Sequence, residues 1–356
     1  MSSRKAGYRA LTTHRLFWPV AVLVVMLAAN TVYRPGFLSV QMRDGHLYGS
    51  LIDILRLSAP LILVALGMTL VIATGGIDLS VGSLCAISGA IACLHISRQP
   101  DQNDLGGVLT ALALGLGAAL VLGAWNGVLV AVIGIQPIIA TLILMVAGRG
   151  LAQLITEGQI LTINSGPYKA IGVGHLLTLP LAIFLALAAA TVVAAVTRRT
   201  ALGLMIESVG GNARASRLAG IRSGRITFLV YVISAACAAI AGFMMTANVS
   251  SADGNAAGLW VELDAILAVV IGGTSLAGGR FSLGGTILGA LLIQTLTTTV
   301  YAMNISPQTS LLFKAVVVIA VCLIQAPGFR ARFTRRRAPA AAPAPVTEQP
   351  KEQVPA

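Results

Sequence analysis

Apolar residues arrive along this chain in long uninterrupted blocks, a pattern that predicts membrane-spanning helices rather than amphipathic surface elements. The first five blocks are Leu16–Tyr33, Leu57–Thr74, Leu79–Ile96, Val108–Ile133 and Pro137–Thr156. Five more follow, at Leu176–Val196, Ile226–Val249, Leu259–Leu276, Gly284–Ala302 and Leu311–Gln325. Each is close to or above the roughly 17–25 residues that a helix needs to cross a bilayer. The eighth is the least uniform, with Glu262 and Asp264 near its start and Gly272–Gly273 inside it. The expected fold is therefore an all-α polytopic membrane protein of about ten transmembrane helices with glycine-broken segments. Residues 1–15 form a basic N-terminus and 16–326 the membrane domain, interrupted by a loop over 197–225. Residues 327–356 are a basic and then Pro/Ala-rich tail, too poor in large apolar side chains to build a core and expected to be disordered.

Composition agrees with that class: of 356 residues, 56% are hydrophobic and only 10% charged. The net charge of +12 would suggest a polyanionic partner in a soluble protein. Here the basic residues gather between apolar blocks, and aromatic residues at 5% offer no surface for stacking bases, so nucleic acid is excluded. Seventeen of the 24 Lys and Arg residues fall in the N-terminus, the 197–225 loop, the Arg280 loop and the tail. The positive-inside rule places those segments, and both termini, in the cytoplasm. Arg34, Arg43 and Arg56, between the first two blocks, run against this bias. The four cysteines all lie inside apolar blocks at no metal-binding spacing and read as small packing residues.

The loop carries Arg198, Arg199, Arg214, Arg217, Arg222 and Arg225 against one acid, Glu207. Arginines cost roughly 2.5–3.5 kcal/mol each at a bilayer centre, so this segment stays outside the membrane. It is also patterned. Gly203 and the Gly210–Gly211 pair bracket a short helical stretch holding Met205, Ile206 and Val209. A second stretch, Ala213–Leu218, places Arg214 and Arg217 one turn apart and closes at Ala219–Gly220. Topogenic arginines alone need no such pattern. A short helix lying along the membrane face and presented to a soluble partner does.

Two glycine-rich stretches interrupt the apolar blocks. GGIDLSVG contains Gly75, Gly76, Asp78, Ser80 and Gly82. Its paired glycines can end one helix, and Asp78 or Ser80 can cap the next. Broken helices with polar residues at the break also line transport paths, so a gating or substrate role for Asp78 stays open beside capping. GGTSLAGG, from Gly272–Gly273 to Gly278–Gly279, shares GGxxLxxG with it and suggests a second break on the same side. In the fourth block, Gly123 and Gly127 form a GxxxG packing pattern around Trp125 and Asn126. With Gln136 and Thr141 at the start of the fifth, these amides and the indole are candidate contacts for a hydroxyl-rich solute. Arg149 can pair with Glu157 or reach the interface. No phosphate-binding loop, HExxH or GxSxG pattern occurs, so ATP-driven uptake would need its ATPase on another chain.

Four long motifs, GMTLVIATGGIDLSVG (Gly67–Gly82), WNGVLVAVIGIQPIIATLILMVAGRG (Trp125–Gly150), TALGLMIESVGGNARASRLAGI (Thr200–Ile221) and LDAILAVVIGGTSLAGGRFSLGG (Leu263–Gly285), resemble the ribose/galactose-type sugar ABC importer permeases. Within that family they look most like galactofuranose permeases. The resemblance implies a multi-pass subunit of a bacterial inner membrane, dimerising with a copy or a paralogue in a lipid bilayer. It would be served by a cytoplasmic sugar-import ATPase, which holds the ATP and Mg, and by a periplasmic sugar-binding protein. No cofactor and no catalytic residue is expected on this chain. Gly203, Met205, Ile206, Glu207, Gly210, Gly211, Asn212, Arg214, Arg217, Ala219 and Gly220 match the family's ATPase-coupling segment, with Met205, Ile206 and Val209 as its expected apolar anchors. The competing classes are an ion-coupled secondary transporter, which would carry more mid-membrane ionisable groups, and a passive channel, which would not need a structured loop.

Overall fold

The computed structural model describes residues 17–303 together with 309, 312, 314–316 and 319. The N-terminus, most of the expected tenth crossing Leu311–Gln325, and the tail lie outside the described residues. Twelve helices are described: α1 (Phe17–Tyr33), α2 (Ser50–Ala73), α3 (Val81–Ser97), α4 (Leu105–Val128), α5 (Pro137–Ile155), α6 (Gly166–Val173), α7 (Leu181–Arg199), α8 (Ala201–Gly211), α9 (Ala213–Leu218), α10 (Ser223–Val249), α11 (Val261–Ile271) and α12 (Leu283–Ala302). A π-helical turn, Leu129–Ile133, extends α4. The fold is not purely helical: three short antiparallel pairs occur, β1 (Gln41–Arg43) with β2 (His46–Tyr48), β3 (Ile160–Thr162) with β6 (Ser251–Asp253), and β4 (His175–Leu176) with β5 (Leu179–Pro180). The Asp-Gly turn of the first hairpin has both central residues at positive φ, Asp44 at 49° and Gly45 at 78°, which suits the twist of a tight hairpin.

Beyond Arg56, helix α2 is apolar on every side and sits at the centre, against α10, α12, α7 and α11. Its most apolar stretch is 78% buried, whereas that of α4 is 22% buried and lies at the periphery. Close helix approach depends on small residues, as in membrane bundles generally. Gly123 and Gly127 of the GxxxG pattern face α10, where an added Cβ would meet Ala235 and Phe228 within 3 Å.

The bundle has two distinct ends. One carries the strand pairs and the Arg56–Asn248 hydrogen bond of 2.8 Å. The other carries α8 and α9, where the Gly279 amide donates to the Ala73 carbonyl at 2.9 Å. From Asp253 at the first end to Gly279 at the second, the only helix is α11, whose 11 residues rise about 16 Å, half the hydrocarbon thickness. The expected continuous crossing over Leu259–Leu276 is thus corrected to a half-helix with irregular flanks. It starts at Trp260, held at φ 64°, and stops at Gly272–Gly273, the latter at φ 85°. Among the described residues six helices have the length and composition to cross a membrane, α2, α4 with its π turn, α5, α7, α10 and α12, while α1 and α3 are apolar but shorter. Left-handed backbone at Trp260 and Gly273 shortens α11: a block apolar enough to cross need not be one helix.

Candidate functional site

Gly75 ends α2 with φ 85°, and the chain then re-enters the protein as extended and turning backbone before α3 begins at Val81. Such backbone survives in an apolar interior only if its polar groups find partners. The Ile77 carbonyl accepts from Thr141 Oγ1 at 3.1 Å. Asp78, 1% exposed, accepts through Oδ1 from the Ser80 amide at 3.1 Å and the Ser80 hydroxyl at 2.6 Å. Its Oδ2 accepts from Ser234 Oγ at 3.0 Å. Ser234 is the twelfth residue of α10, about 16 Å from that helix's start, so the carboxylate sits well inside the bundle. Asn126 Nδ2 donates to Ser80 Oγ at 2.9 Å, and Asn126 Oδ1 is buried without a partner among the described residues. The carboxylate therefore forms an Asx turn that sets the first turn of α3 and ties it to α10.

The structure brings Asp78, Ser80, Asn126 and Thr141 together. Trp125 and Gln136 are not among them. Trp125 is 56% exposed on the outer face of α4, one residue round the helix from Asn126, and Gln136 is exposed as the N-terminal flank of α5. The Arg149–Glu157 pairing is also corrected: Arg149 donates to the Ala257 carbonyl, anchoring the irregular segment before α11.

A second polar region went unrecognised. A cavity of about 300 Å³ opens near the strand-bearing end, lined by Arg56, Asn248, Asp264 and Gln294 among apolar residues of α2, α10 and α11. Arg56 is held by Asn248, and Asp264 by Lys314 Nζ at 2.8 Å. The local signal was the pair of acids at Glu262 and Asp264; Asn248 and Arg56 are 192 positions apart and share no motif.

At the opposite end, α8 and α9 occupy the bounds expected for the patterned loop. Thr200 caps α8 through the Leu202 amide at 3.2 Å, and Asn212 caps α9 through the amides of Arg214 and Ala215, each at 3.0 Å. Gly220, at φ 86°, closes the segment after Ala219. Gly203 abuts the Thr197 carbonyl at the end of α7. Gly210 is the junction: a Cβ there would stand 1.8 Å from the Ala73 carbonyl oxygen and 2.5 Å from the Gly279 amide. A Cβ at Gly278 would in turn stand 2.9 Å from the Gly210 carbonyl and 3.0 Å from the Gly75 amide. The end of α2, just before GGIDLSVG, and the end of GGTSLAGG thus both meet α8.

The chain matches, over residues 50–322, the family profile described as "Branched-chain amino acid transport system / permease component". It is 49% identical over 322 residues to the galactofuranose transporter permease of Escherichia coli K12, covering 88% of this chain and 92% of that protein. It is 41% identical to a fructose import permease of Bifidobacterium longum, covering 93% and 94% of the two chains. The ribose import permease of Escherichia coli K12 is 37% identical over 85% of this chain and 91% of its own. The chain belongs to this ABC importer permease family. No solved structure matches it significantly.

In this permease the expected apolar anchors of the coupling segment need revision. Ile206 is fully buried and Val209 4% exposed, both turned into the protein's own core, and Met205 is half-buried. The apolar side chains presented outward are Leu204 at 71% and Leu218 at 91% exposure, with Arg214 also exposed and Glu207 half-buried. The helical period was legible, but which face turned inward depended on where α2 and Gly279 lie. Arg198, counted as a topogenic charge, donates to the Phe281 carbonyl at 3.4 Å and stands 5.4 Å over the Phe281 ring.

Proposed function

We propose that this permease imports a monosaccharide able to adopt a furanose ring, galactofuranose being the leading candidate. The observation that carries the reading is the 49% identity, over nearly the whole of both chains, to a galactofuranose permease. Fructose and ribose, the sugars named for two further relatives, also form five-membered rings. The polar cavity supports a hydroxyl-rich solute, because Arg56, Asn248, Asp264 and Gln294 supply donors and acceptors within one lining. An ion-coupled carrier finds no support among these relatives.

The permease works as a dimer with a copy or a paralogue in a bacterial inner membrane, with both termini cytoplasmic. A periplasmic binding protein delivers the sugar at the strand-bearing end. A separate ATPase carrying ATP and Mg docks on Leu204, Arg214 and Leu218, with Glu207 and Arg217 flanking. Its movement reaches both glycine breaks through Gly210, which touches the ends of α2 and of the 272–279 loop. The test is uptake by proteoliposomes holding the purified complex, offered radiolabelled galactofuranose, ribose, fructose or leucine. ATP-dependent accumulation of galactofuranose in preference to the others is expected; leucine as the preferred solute would overturn the sugar assignment.

A further inference from the structure

A groove of about 890 Å³ lies where the π-helical turn meets the start of α10, at the arginine-bearing end. Its rim carries Arg217, Arg222 and Arg225, and its apolar wall is Val128, Val132, Phe228 and Leu229. Among the described residues none of these arginines has a carboxylate partner; Arg217 reaches only Ser223 Oγ, at 3.4 Å. Three exposed guanidinium groups without a carboxylate partner, set above an apolar wall, suit an anion that carries apolar bulk with it.

The wall does not stop at the groove. Leu114, Val121, Trp125, Val128 and Val132 are exposed at 49, 69, 56, 37 and 76%. Their spacing of seven, four, three and four residues puts them on one face of α4. This apolar stripe runs from the groove up the periphery of the bundle, along the path an acyl chain takes in a bilayer. A soluble partner could meet the arginines but could not follow the stripe. A second copy of the chain, meeting itself there symmetrically, would oppose arginine with arginine. The π turn widens α4 at the groove, as such turns do at many binding sites.

We infer that this groove binds one anionic phospholipid, its phosphate on Arg217, Arg222 and Arg225 and an acyl chain along Val132, Val128 and Trp125. Basic pockets between membrane helices hold anionic head groups in this way. The groove also shares Arg217, Ser223 and Gly224 with a smaller cavity that reaches Gly75 and Gly76, so the lipid would sit beside the first helix break.

The test uses the full-length permease purified in neutral detergent, titrated with dioleoyl phosphatidylglycerol and read by native mass spectrometry and by thermal unfolding. Phosphatidylglycerol should bind and raise the melting temperature, while phosphatidylcholine and chain-free glycerol phosphate at equal concentration should do neither. Each arginine near an anionic head group is worth about fivefold in affinity. Arg222→Gln with Arg225→Gln should therefore weaken binding on the order of twenty-fold, and Arg222→Lys with Arg225→Lys should retain most of it. A photoreactive acyl phosphatidylglycerol should label residues 125–132 in the unaltered protein, a readout that needs no variant to fold. Equal binding of phosphatidylcholine, or labelling elsewhere, would overturn the site. So would unchanged phosphatidylglycerol affinity in the glutamine variant, including the case where that variant instead loses the ATPase.

Discussion

Gly210→Ala should separate the coupling helix from the two helix breaks, while the same change one residue later should do almost nothing. Gly210 stands against backbone on two sides: its absent Cβ would be 1.8 Å from the Ala73 carbonyl oxygen and 2.5 Å from the Gly279 amide. Ordinary contact needs about 3.4 Å, so α8 must retreat by about 1.5 Å, and neither obstacle is a flexible side-chain end that could swing aside. The retreat also threatens the Gly279–Ala73 hydrogen bond. Overpacking of about 1–3 kcal/mol together with about 1 kcal/mol for the bond places the loss near 2–4 kcal/mol. At Gly211 an added Cβ meets nothing within 4 Å, and alanine there should be neutral or stabilising by up to about 1 kcal/mol. The assay compares thermal unfolding of the two purified variants, then sugar-stimulated ATP hydrolysis and uptake by each in reconstituted complexes. Gly210→Ala should insert, lose stability, and hydrolyse ATP with little sugar accumulation. If it matches Gly211→Ala in both measurements, α8 does not transmit movement through this junction.

Asp78→Asn should keep more than half of wild-type uptake, since its oxygen can still accept from Ser80 and its amide can donate to Ser234 Oγ; Asp78→Ala strands both serines and should cost about 1–3 kcal/mol of stability, seen as a lower melting temperature. Leu204→Ala with Leu218→Ala should leave the permease folded but reduce ATPase co-purification, at roughly 2 kcal/mol or more if these side chains are hot spots. Ile206→Ala should do the reverse, destabilising the permease itself by about 2–5 kcal/mol as a cavity in its core. His175 stacks on His46 at 4.3 Å, and lost hydration, then the charges of His46 and Arg56, hold its pKa below the ordinary histidine value. The unfolded state binds that proton more readily, so the contribution is complete above the unfolded pKa of about 6.5 and is lost as pH falls through the lowered folded value. Protection factors over 41–48 and 175–180, corrected for the base-catalysed intrinsic exchange rate at each pH, should therefore be lower at pH 5 than at pH 7.5, and His175→Gln should abolish the difference.

Much of the architecture was legible because bilayers demand long apolar blocks, and blocks are visible in one dimension. The two short helices α8 and α9 could be read because the Gly210–Gly211 pair and Ala219–Gly220 punctuate the chain locally, whereas the caps at Thr200 and Asn212 are seen only in the structure. What escaped was everything that depends on depth or on rotation about a helix axis. Leu259–Leu276 has the composition of a crossing, yet the left-handed backbone at Trp260 and Gly273 confines its helix to Val261–Ile271. Trp125 and Asn126 are neighbours in sequence, and adjacent helical positions point about 100° apart, so one faces outward and the other Ser80. Gly210 and Gly211 carry the same letter, and only the fold tells the wedge from the open position.

The Asp78–Ser234 hydrogen bond joins residues 156 positions apart, and this has a consequence for biogenesis. At roughly 5–20 residues per second of synthesis, α2 and the start of α3 precede their partner in α10 by about 8–30 s. Throughout that interval a carboxylate and the non-helical backbone of GGIDLSVG lack the serine that satisfies one of its oxygens. The nascent α2–α3 pair must remain sheltered in the insertion machinery, or near the membrane surface, until α10 is made. A defect at Ser234 would then register first as lost protein in the membrane, ahead of any change in the rate at which the surviving molecules work.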